Sequence, residues 1–336
     1  MAFLSDTIPF PLGDPLFCAI LGNTLVSTVP GISGAGPSPE KTLYTPILDA
    51  ELIVDGEITS IPLRPNTPTG CPTPASITRS MIELTGLTPM FINAGLRYSP
   101  TVPCIDAYGS PGEDPRYGDA VPSAEKLVAR GKYIGKILSS SCDTLVLGEC
   151  IPGGTTTALC VLRALGHNAR VSSSFQDNPV SIKEEIALTV QDRIRKLGVR
   201  DPVEIMRCTG DPMMPVAVGI SMGFTGNLIL AGGTQMLAVC ALLKKMDVDL
   251  PFVVTTEYVR SDTSANFEEL VQDIGVRTAF VNPGFGEIGH PGLARYCLGE
   301  VKEGTGAGGA MALASQMGFT PDEIRSQIIR TVSRYA

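Results

Sequence analysis

Residues 143–166 read DTLVLGECIPGGTTTALCVLRALG, and this stretch decides the fold class. Its first eight residues form a short apolar run that is typical of a buried β-strand. A glycine turn follows, and TTTALCVLRALG then has the apolar spacing of a helix that ends at Gly166. A strand that passes through a tight turn into a helix is the repeating unit of α/β proteins.

The same alternation continues downstream. Residues 181–198 have the pattern of an amphipathic helix, and Ser181 with Glu184 three positions later predicts a capping box at its start. Further strands are predicted at 168–175, 203–210, 226–233, 250–256 and 276–282, and further helices at 122–140, 212–224, 234–245, 266–274 and 321–335. Apolar strands alternating with helices predict a doubly wound α/β fold with a mostly parallel, Rossmann-like sheet. Ligands of such sheets bind at the carboxyl ends of the strands.

Length and composition restrict the class of protein. A chain of 336 residues with 43% hydrophobic residues can bury one large core, or a core plus a small satellite domain. Its apolar runs are far shorter than a membrane span requires, and residues 1–15 lack the pattern of an export signal. We therefore expect no membrane partner and a cytoplasmic location.

Charge and cysteine content exclude further classes of site. The formal net charge is −8, with no basic run, which argues against a nucleic-acid partner. The nine cysteines are scattered without a CxxC pair, and the chain has only two histidines. We expect reduced thiols, no metal site and no cofactor.

The glycine turn at 148–157 is a candidate phosphate site. Its glycines let the backbone approach a ligand closely, and threonine hydroxyls at a helix start add donors where the helix dipole favours an anion. The spacing matches neither a Walker A loop nor a GxGxxG fingerprint. A glycine turn with a threonine N-cap, and no ligand, is the alternative interpretation.

Two later segments carry candidate acids. In 299–310, Glu303 precedes a glycine-rich helix entry, and the apolar Val301 would raise its pKa towards that of a useful base; the alternative is an acid that only complements the helix N-terminus. In 283–292, Glu287 and His290 could bond to sugar or phosphate, or the loop could be structural with a capping histidine. The turns at Gly210 and Gly232 are predicted to follow strands and to complete a glycine-lined floor.

Three motifs in 140–316 resemble one family, the nicotinate-nucleotide:dimethylbenzimidazole phosphoribosyltransferases of cobalamin synthesis. GECIPGGTTTA at 148–158 resembles the family's GEMGIGNTTTA, and EIGH at 287–290 resembles its AEPGH. VKEGTGAGGAMALA at 301–314 resembles LGEGTGAALALP, and PTPASITRSMIEL at 72–84 is similar to KPPGSLGRLEEL. The lysine before PPG is absent, and Gly154, Ala231 and Phe285 replace family residues, as in a divergent branch.

The resemblance implies a role for each matching position. Glu303 would be the catalytic base, and Ser76 would face the accepting base. The remaining substrate-binding positions would be Glu149, Gly153, Gly154, Thr155, Thr156, Gly210, Gly232, Glu287, Gly289, His290, Val301 and Gly304. The substrates would be nicotinate mononucleotide and a base of the benzimidazole type, which gives an α-ribotide for the cobamide lower ligand.

The resemblance also implies an organisation for the chain. It predicts a homodimer in which a smaller domain is built from N- and C-terminal segments. Residues 1–120, which are rich in proline and glycine, would contribute to that domain and to the base pocket. Residues 121–317 would form the ribotide-binding core, and 318–336 a C-terminal helix.

Two other functions are consistent with the same pattern. A binding or regulatory protein could hold a ribotide or nucleobase without turnover, and the changed positions 231 and 285 motivate that alternative. A dinucleotide-dependent oxidoreductase on a similar sheet is the other, and the missing GxGxxG fingerprint argues against it.

Overall fold

The computed structural model describes residues 2–36 and 38–335, which form one seven-stranded sheet between two layers of helices. The strands are β1 (Pro15–Gly22), β2 (Met90–Gly95), β3 (Ile105–Asp106), β4 (Thr144–Cys150), β5 (Asn227–Ala231), β6 (Phe252–Thr256) and β7 (Thr278–Val281). All pairings in the sheet are parallel, in the order β3-β2-β1-β4-β5-β6-β7. The predicted doubly wound α/β fold is confirmed.

The helices cover both faces of this sheet. They are α1 (Pro39–Thr42), α2 (Thr45–Asp55), α3 (Pro74–Thr85), α4 (Ala124–Leu138), α5 (Gly154–Ala164), α6 (Val180–Leu197), α7 (Pro202–Thr209), α8 (Met213–Gly223), α9 (Thr234–Lys245), α10 (Glu257–Arg260), α11 (Phe267–Ile274), α12 (Pro291–Ala294), α13 (Ala307–Gln316) and α14 (Pro321–Val332). Within this described part, no helix has the length and apolar character that crossing a bilayer requires.

Alternate residues of each strand serve two separate cores. In β4, Leu145 and Leu147 pack into the core formed with α4 to α9 and α11, whereas Val146 packs into the core formed with α2, α3, α13 and α14. Strand residues point to opposite faces with a period of two, so an apolar run such as TLVL fills both cores.

The second layer combines both ends of the chain, since α2 and α3 come from the N-terminal third and α13 and α14 from the C-terminus. Residues 1–120 also supply β1, β2 and β3 to the main sheet. The domain boundaries at 120 and 317 stay a prediction.

Strand order places a switch point beside β4. From β1 the chain moves outward to β2 and β3, and it then returns to place β4 on the other side of β1. At a switch point, the chain leaves the carboxyl ends of two adjacent strands in opposite directions. A crevice opens between the two connections. Here those ends are Gly22 and Cys150.

Two predicted strands are wrong. Residues 203–209 belong to α7, and Gly210 comes directly after its last residue. The helix forms because Asp201 accepts hydrogen bonds from Val203 N and Glu204 N, and Pro202 occupies the first turn. An aspartate N-cap followed by proline is a helix start, and it overrides the apolar run VEIM.

Residues 168–175 are irregular rather than extended in the sheet. Their carbonyls bond to lysine side chains instead: Lys183 Nζ donates to Ser172 O, and Lys302 Nζ donates to Ser173 O and Phe175 O.

The predicted capping box at Ser181 is also wrong. Helix α6 begins one residue earlier, at Val180, so Ser181 lies inside its first turn. The Glu184 carboxylate pairs with Arg163 at 2.5 Å and is not available to cap the helix. A complete capping box forms at α14, between Thr320 and Glu323.

Candidate active site

Glu149 lies at the carboxyl end of β4 and is almost completely buried. Its Oε2 accepts hydrogen bonds from Ile151 N at 3.1 Å and from Gln235 Nε2 at 2.7 Å. Gly232, at the end of β5, is so close that an added Cβ would lie 3.5 Å from Glu149 Oε1. The ends of two adjacent strands therefore meet at this carboxylate.

The environment of Glu149 opposes its ionisation. Burial, and then the negative charges of Asp211 and Glu303, raise its pKa to about 8. Within 2–36 and 38–335, no basic side chain forms an ion pair with it. The environment therefore favours the neutral form of this carboxyl group.

The glycine turn leads into α5 as predicted. Gly153 has φ +79°, a left-handed conformation suited to glycine, and a Cβ at Gly154 would collide with Gln235 Nε2 at 2.2 Å. Thr155 is half-buried, and Thr156 is completely buried. No threonine caps the helix through its side chain, which speaks against the alternative interpretation of this turn.

Thr156 is the unusual residue of this helix start. Its hydroxyl has no hydrogen-bond partner among the described residues, although the side chain has no exposed surface. A buried polar atom without a partner costs about 1 to 3 kcal/mol.

The Gly210 turn does not follow a strand, because α7 replaces the predicted strand before it. It still reaches the site, since the next residue, Asp211, accepts a hydrogen bond of 2.6 Å from Thr157 in α5. Burial raises the pKa of the Asp211 carboxyl to about 6. Asp211 is a buried acid to which the sequence analysis assigned no role.

Glu303 lies at the N-terminus of α13. Its Oε1 accepts hydrogen bonds from Gly304 N at 3.1 Å and Gly308 N at 3.2 Å, and Oε2 is 3.5 Å from Thr255 Oγ1. Burial raises the pKa of this half-buried carboxyl to about 7, against the opposing effect of the backbone donors. Glu303 therefore complements a helix terminus and also has the pKa of a general base at neutral pH.

The turn that carries Glu303 is strained. Val301, Lys302 and Thr305 all have positive φ, at 66°, 63° and 49°. Left-handed non-glycine residues cost about 1 to 3 kcal/mol each and persist only where their surroundings hold them. Val301 N donates to Ser174 O at 2.9 Å, and Thr305 N donates to the Glu149 carbonyl at 3.0 Å, which joins the two motifs directly.

The start of α3 packs onto the same turn. A Cβ at Gly304 would lie 3.2 Å from Pro74, and Thr78 Oγ1 donates to Thr305 O at 3.0 Å. Ser76 is completely buried, and its hydroxyl donates to Thr73 O at 2.6 Å within its own helix. The structure thus brings the Ser76 segment to the Glu303 turn, and the role of Ser76 towards the accepting base stays a prediction.

A pair of buried lysines adjoins the Glu303 turn and was missed by the sequence analysis. Lys302 Nζ lies 3.4 Å from Asp262 Oδ2, and Lys183 Nζ donates to Ser172 O at 2.6 Å. Burial, and then the charge of Lys302, lower the pKa of Lys183 to about 7. We call Lys183, Lys302 and Asp262 the lysine cluster; it holds two basic groups and one acid.

Asp49 in α2 was also missed. Its carboxylate is buried, accepts a hydrogen bond of 2.9 Å from Thr305 Oγ1, and has a pKa raised by burial to about 6. A signal was present in the sequence, because the stretch PILDAELIV at 46–54 places Asp49 and Glu51 among apolar residues. Acids among apolar residues are buried together with them when other elements pack around the helix.

The loop after β7 carries the remaining predicted site residues. Glu287 and Gly289 are exposed, and His290 Nδ1 accepts a hydrogen bond of 3.1 Å from Leu293 N, which caps α12. Among the described residues, no hydrogen bond joins Glu287 or His290 to Glu149 or Glu303. The capping-histidine alternative describes this loop, and its role in substrate binding stays a prediction.

The described chain also contains no group of three or more histidine, cysteine or acidic side chains placed to hold a metal ion.

Glu149→Gln is expected to stabilise the fold at pH 8. Because the pKa of Glu149 is raised from 4.5 to about 8 on folding, its contribution to stability is complete below about pH 4.5 and is lost as the pH rises through 8. A glutamine oxygen can accept the same two hydrogen bonds without ionising. We expect the free energy of unfolding to rise on the order of 2 kcal/mol at pH 8 and little at pH 5.

Urea denaturation across pH 5–9 measures this effect. Wild-type stability should decline with rising pH, and the decline should be shallower in Glu149→Gln. Parallel curves for the two proteins would show that Glu149 ionises freely in the folded state.

Two curated proteins are similar in sequence to nearly the whole of this chain. A UPF0284 protein of Methanosarcina acetivorans is 43% identical, over 98% of this chain and 97% of its own length. A UPF0284 protein of Thermococcus onnurineus is 42% identical, over 93% of this chain and 95% of its own length. No family model matches the chain.

Two solved structures from Thermus thermophilus have a similar fold. A nicotinate-nucleotide-dimethylbenzimidazole phosphoribosyltransferase has a TM-score of 0.61 at 15% identity, and a structure described as CobT has a TM-score of 0.62 at 14% identity. In both comparisons the match covers 96% of this chain and 84% of the other. This similarity supports the fold, and the sequence identity of the first two proteins establishes the family: the chain belongs to the UPF0284 proteins.

Proposed function

We propose that this protein transfers a phosphoribosyl group from nicotinate mononucleotide to a nitrogen base. The observation that carries the proposal is a set of three acids, Glu149, Asp211 and Glu303, around the ends of β4 and β5; Glu149 and Asp211 are buried and Glu303 is half-buried. In the described part of the chain, none of them has a basic partner in an ion pair. A cation beside these acids would favour their ionised forms, so the site favours a cationic ligand or transition state.

Nicotinate mononucleotide supplies both. Its pyridinium nitrogen is positively charged, and positive charge develops on the ribose as the bond between the anomeric carbon and that nitrogen breaks. The departing nicotinate keeps the electron pair of this bond, and a nitrogen of the accepting base forms the new bond to the anomeric carbon. As that bond forms, Glu303 accepts the N–H proton of the accepting base, which a carboxylate with a pKa near 7 can do at neutral pH.

Two parts of the structure could bind the phosphate of nicotinate mononucleotide: the N-terminus of α5 and the lysine cluster. Thr156 offers a buried hydroxyl without a partner at that helix start, where backbone N–H groups and the helix dipole favour an anion. The lysine cluster adjoins the Glu303 turn through Lys302 and contains more basic than acidic groups. A phosphate there would favour the charged form of Lys183, whose pKa is lowered to about 7.

Thr156→Val tests the ribotide site. The variant should bind nicotinate mononucleotide about tenfold more weakly, because one hydrogen bond is lost. Without ligand it should be more stable by about 1 kcal/mol, since a buried hydroxyl without a partner has been removed. Calorimetric titration and urea denaturation measure the two effects. Unchanged affinity would place the ribotide elsewhere.

The solved structures of similar fold include one named for this reaction, which supports the type of chemistry. The benzimidazole-type acceptor, the α-ribotide product for a cobamide lower ligand and the homodimer are further parts of the proposal. They follow from the motif resemblance at 148–158, 287–290 and 301–314.

A product assay tests the proposal. Purified protein is incubated with nicotinate mononucleotide and a panel of benzimidazoles, phenols and adenine, and mass spectrometry detects free nicotinate and new ribotides. One new ribotide formed with equimolar nicotinate establishes the reaction and names the acceptor. Binding of nicotinate mononucleotide with no product from any base would favour the non-catalytic ribotide-binding protein instead.

A further inference from the structure

Asp49 contacts three segments that are distant from it in the sequence. Its Oδ2 accepts hydrogen bonds from Thr305 Oγ1 at 2.9 Å and from Cys150 Sγ at 3.3 Å. Thr73 Oγ1 lies 3.5 Å from Oδ1. One carboxylate on α2 thus joins the end of β4, the start of α3 and the turn before α13.

Each of these partners lies close in sequence to a residue with a proposed role. Cys150 follows Glu149, and Thr305 comes two residues after Glu303. Thr73 is the N-cap of α3, the helix that contains Ser76. The position of Asp49 therefore influences the relative placement of all three parts of the candidate active site.

Stability alone does not account for a carboxylate at this position. Asp49 is 8% exposed, and no ion pair with a basic side chain involves it in 2–36 or 38–335. Burying a carboxylate is costly, and hydrogen bonds from two hydroxyls and a thiol offset only part of that cost. A neutral side chain of the same size would give a more stable fold.

We propose that Asp49 is a positioning residue for the transfer reaction, and that it holds Glu303 in place through Thr305. The bond from Thr305 Oγ1 to Asp49 fixes the strained turn 303–306, in which Glu303 accepts from Gly304 N and Gly308 N. The same carboxylate holds Cys150, so the turn keeps its distance from β4. This inference rests on the proposed function, because Glu303 is the group that it positions.

Helix α2 provides a matched control in Glu51. This residue has no exposed surface, and its carboxylate accepts hydrogen bonds from Thr59 N, Ser60 N, Ser60 Oγ and Thr101 Oγ1. It is thus a buried acid on the same helix, bonded to hydroxyl and amide groups, but it has no bond to the Glu303 turn. Glu51→Gln reports what the loss of a buried acid from α2 does by itself.

Steady-state kinetics of Asp49→Ala, Asp49→Asn and Glu51→Gln test the proposal. We expect Asp49→Ala to lower kcat about 10- to 100-fold, because a small displacement of a catalytic group is sufficient for such a loss. The KM for nicotinate mononucleotide should change less than about threefold, since the ribotide site is built by other residues. Asp49→Asn should recover most of kcat, because an amide oxygen can still accept from Thr305 and Cys150.

Equal kcat values for Asp49→Ala and Glu51→Gln would overturn the proposal. If Asp49→Ala does not fold, Thr305→Val removes the same hydrogen bond from the other side and should give the same loss of kcat with unchanged KM. Wild-type activity in Thr305→Val would then overturn it.

Amide hydrogen exchange separates this proposal from the proposed reaction, since it needs no substrate. Peptides that cover 303–308 should exchange about tenfold faster in Asp49→Ala or Thr305→Val than in wild type, and at the wild-type rate in Glu51→Gln. If the wild-type protein makes no product, the proposed reaction is wrong. Faster exchange of 303–308 in the two variants would still show that Asp49 holds the turn. Unchanged exchange in both variants would overturn that role.

Discussion

Glu303→Gln is expected to lower kcat about 10²- to 10⁴-fold, the range that general base catalysis contributes. The glutamine oxygen can accept from Gly304 N and Gly308 N as Oε1 does, and its amide can donate to Thr255 Oγ1. The fold and the binding of nicotinate mononucleotide should therefore be preserved. What is lost is the group that accepts a proton.

The pH profile identifies this loss as that of a base. Because the pKa of Glu303 is raised to about 7, wild-type kcat should increase with pH through about 7, and this limb should be absent from the residual activity of the variant. Glu323→Gln is the matched control, since Glu323 also caps a helix, α14, but is exposed and distant in the sequence from the site. Full activity in Glu303→Gln would exclude the proposed role.

Lys302→Met is expected to destabilise the protein by about 3 to 5 kcal/mol, the usual effect of breaking a buried ion pair from one side. The ammonium group donates to Ser173 O and Phe175 O and lies 3.4 Å from Asp262 Oδ2. Methionine fills a similar volume but leaves two carbonyls and a carboxylate without this partner. The strained turn that carries Glu303 would lose an anchor at the same time.

Urea denaturation at pH 7 measures this effect, with Lys244→Met as the control. Lys244 Nζ also donates to two backbone carbonyls, Asp273 O and Ile274 O, but the residue is exposed. Its replacement should cost no more than about 1 kcal/mol, because water can satisfy the carbonyls. Equal losses in the two variants would mean that the lysine cluster contributes no more than a surface lysine does.

These variants separate stability from function. The fold carries acids with raised pKa values at positions 49, 149, 211 and 303, and a hydroxyl without a partner at 156. Each makes the folded state without ligand less stable than a neutral or apolar replacement would. A cationic, phosphorylated ligand would remove part of that cost, so ligand binding should also raise the unfolding temperature.

The motifs on β4 and α13 were predictable because each is local. The run TLVLGEC fixes a buried strand, its glycine turn fixes the start of α5, and Glu303 is recognisable beside a glycine-rich helix entry. The predictions at 168–175 and 203–210 were wrong where local signals compete. In 168–175, Lys183 from α6 and Lys302 from the Glu303 turn donate hydrogen bonds to backbone carbonyls that a sheet would otherwise use. In 203–210, the aspartate N-cap of α7 overrides the apolar run.

The amino-acid sequence by itself determined the parallel α/β architecture and the segments that carry Glu149 and Glu303, because strands, turns and helix starts depend on neighbouring residues. Only the tertiary structure decided that Asp49 contacts Thr305, 256 positions away, and that Lys302 pairs with Asp262. Strand order and the packing of helices from both ends of the chain create those contacts. The pKa of each buried acid follows from them, since burial and neighbouring charge are properties of the assembled fold.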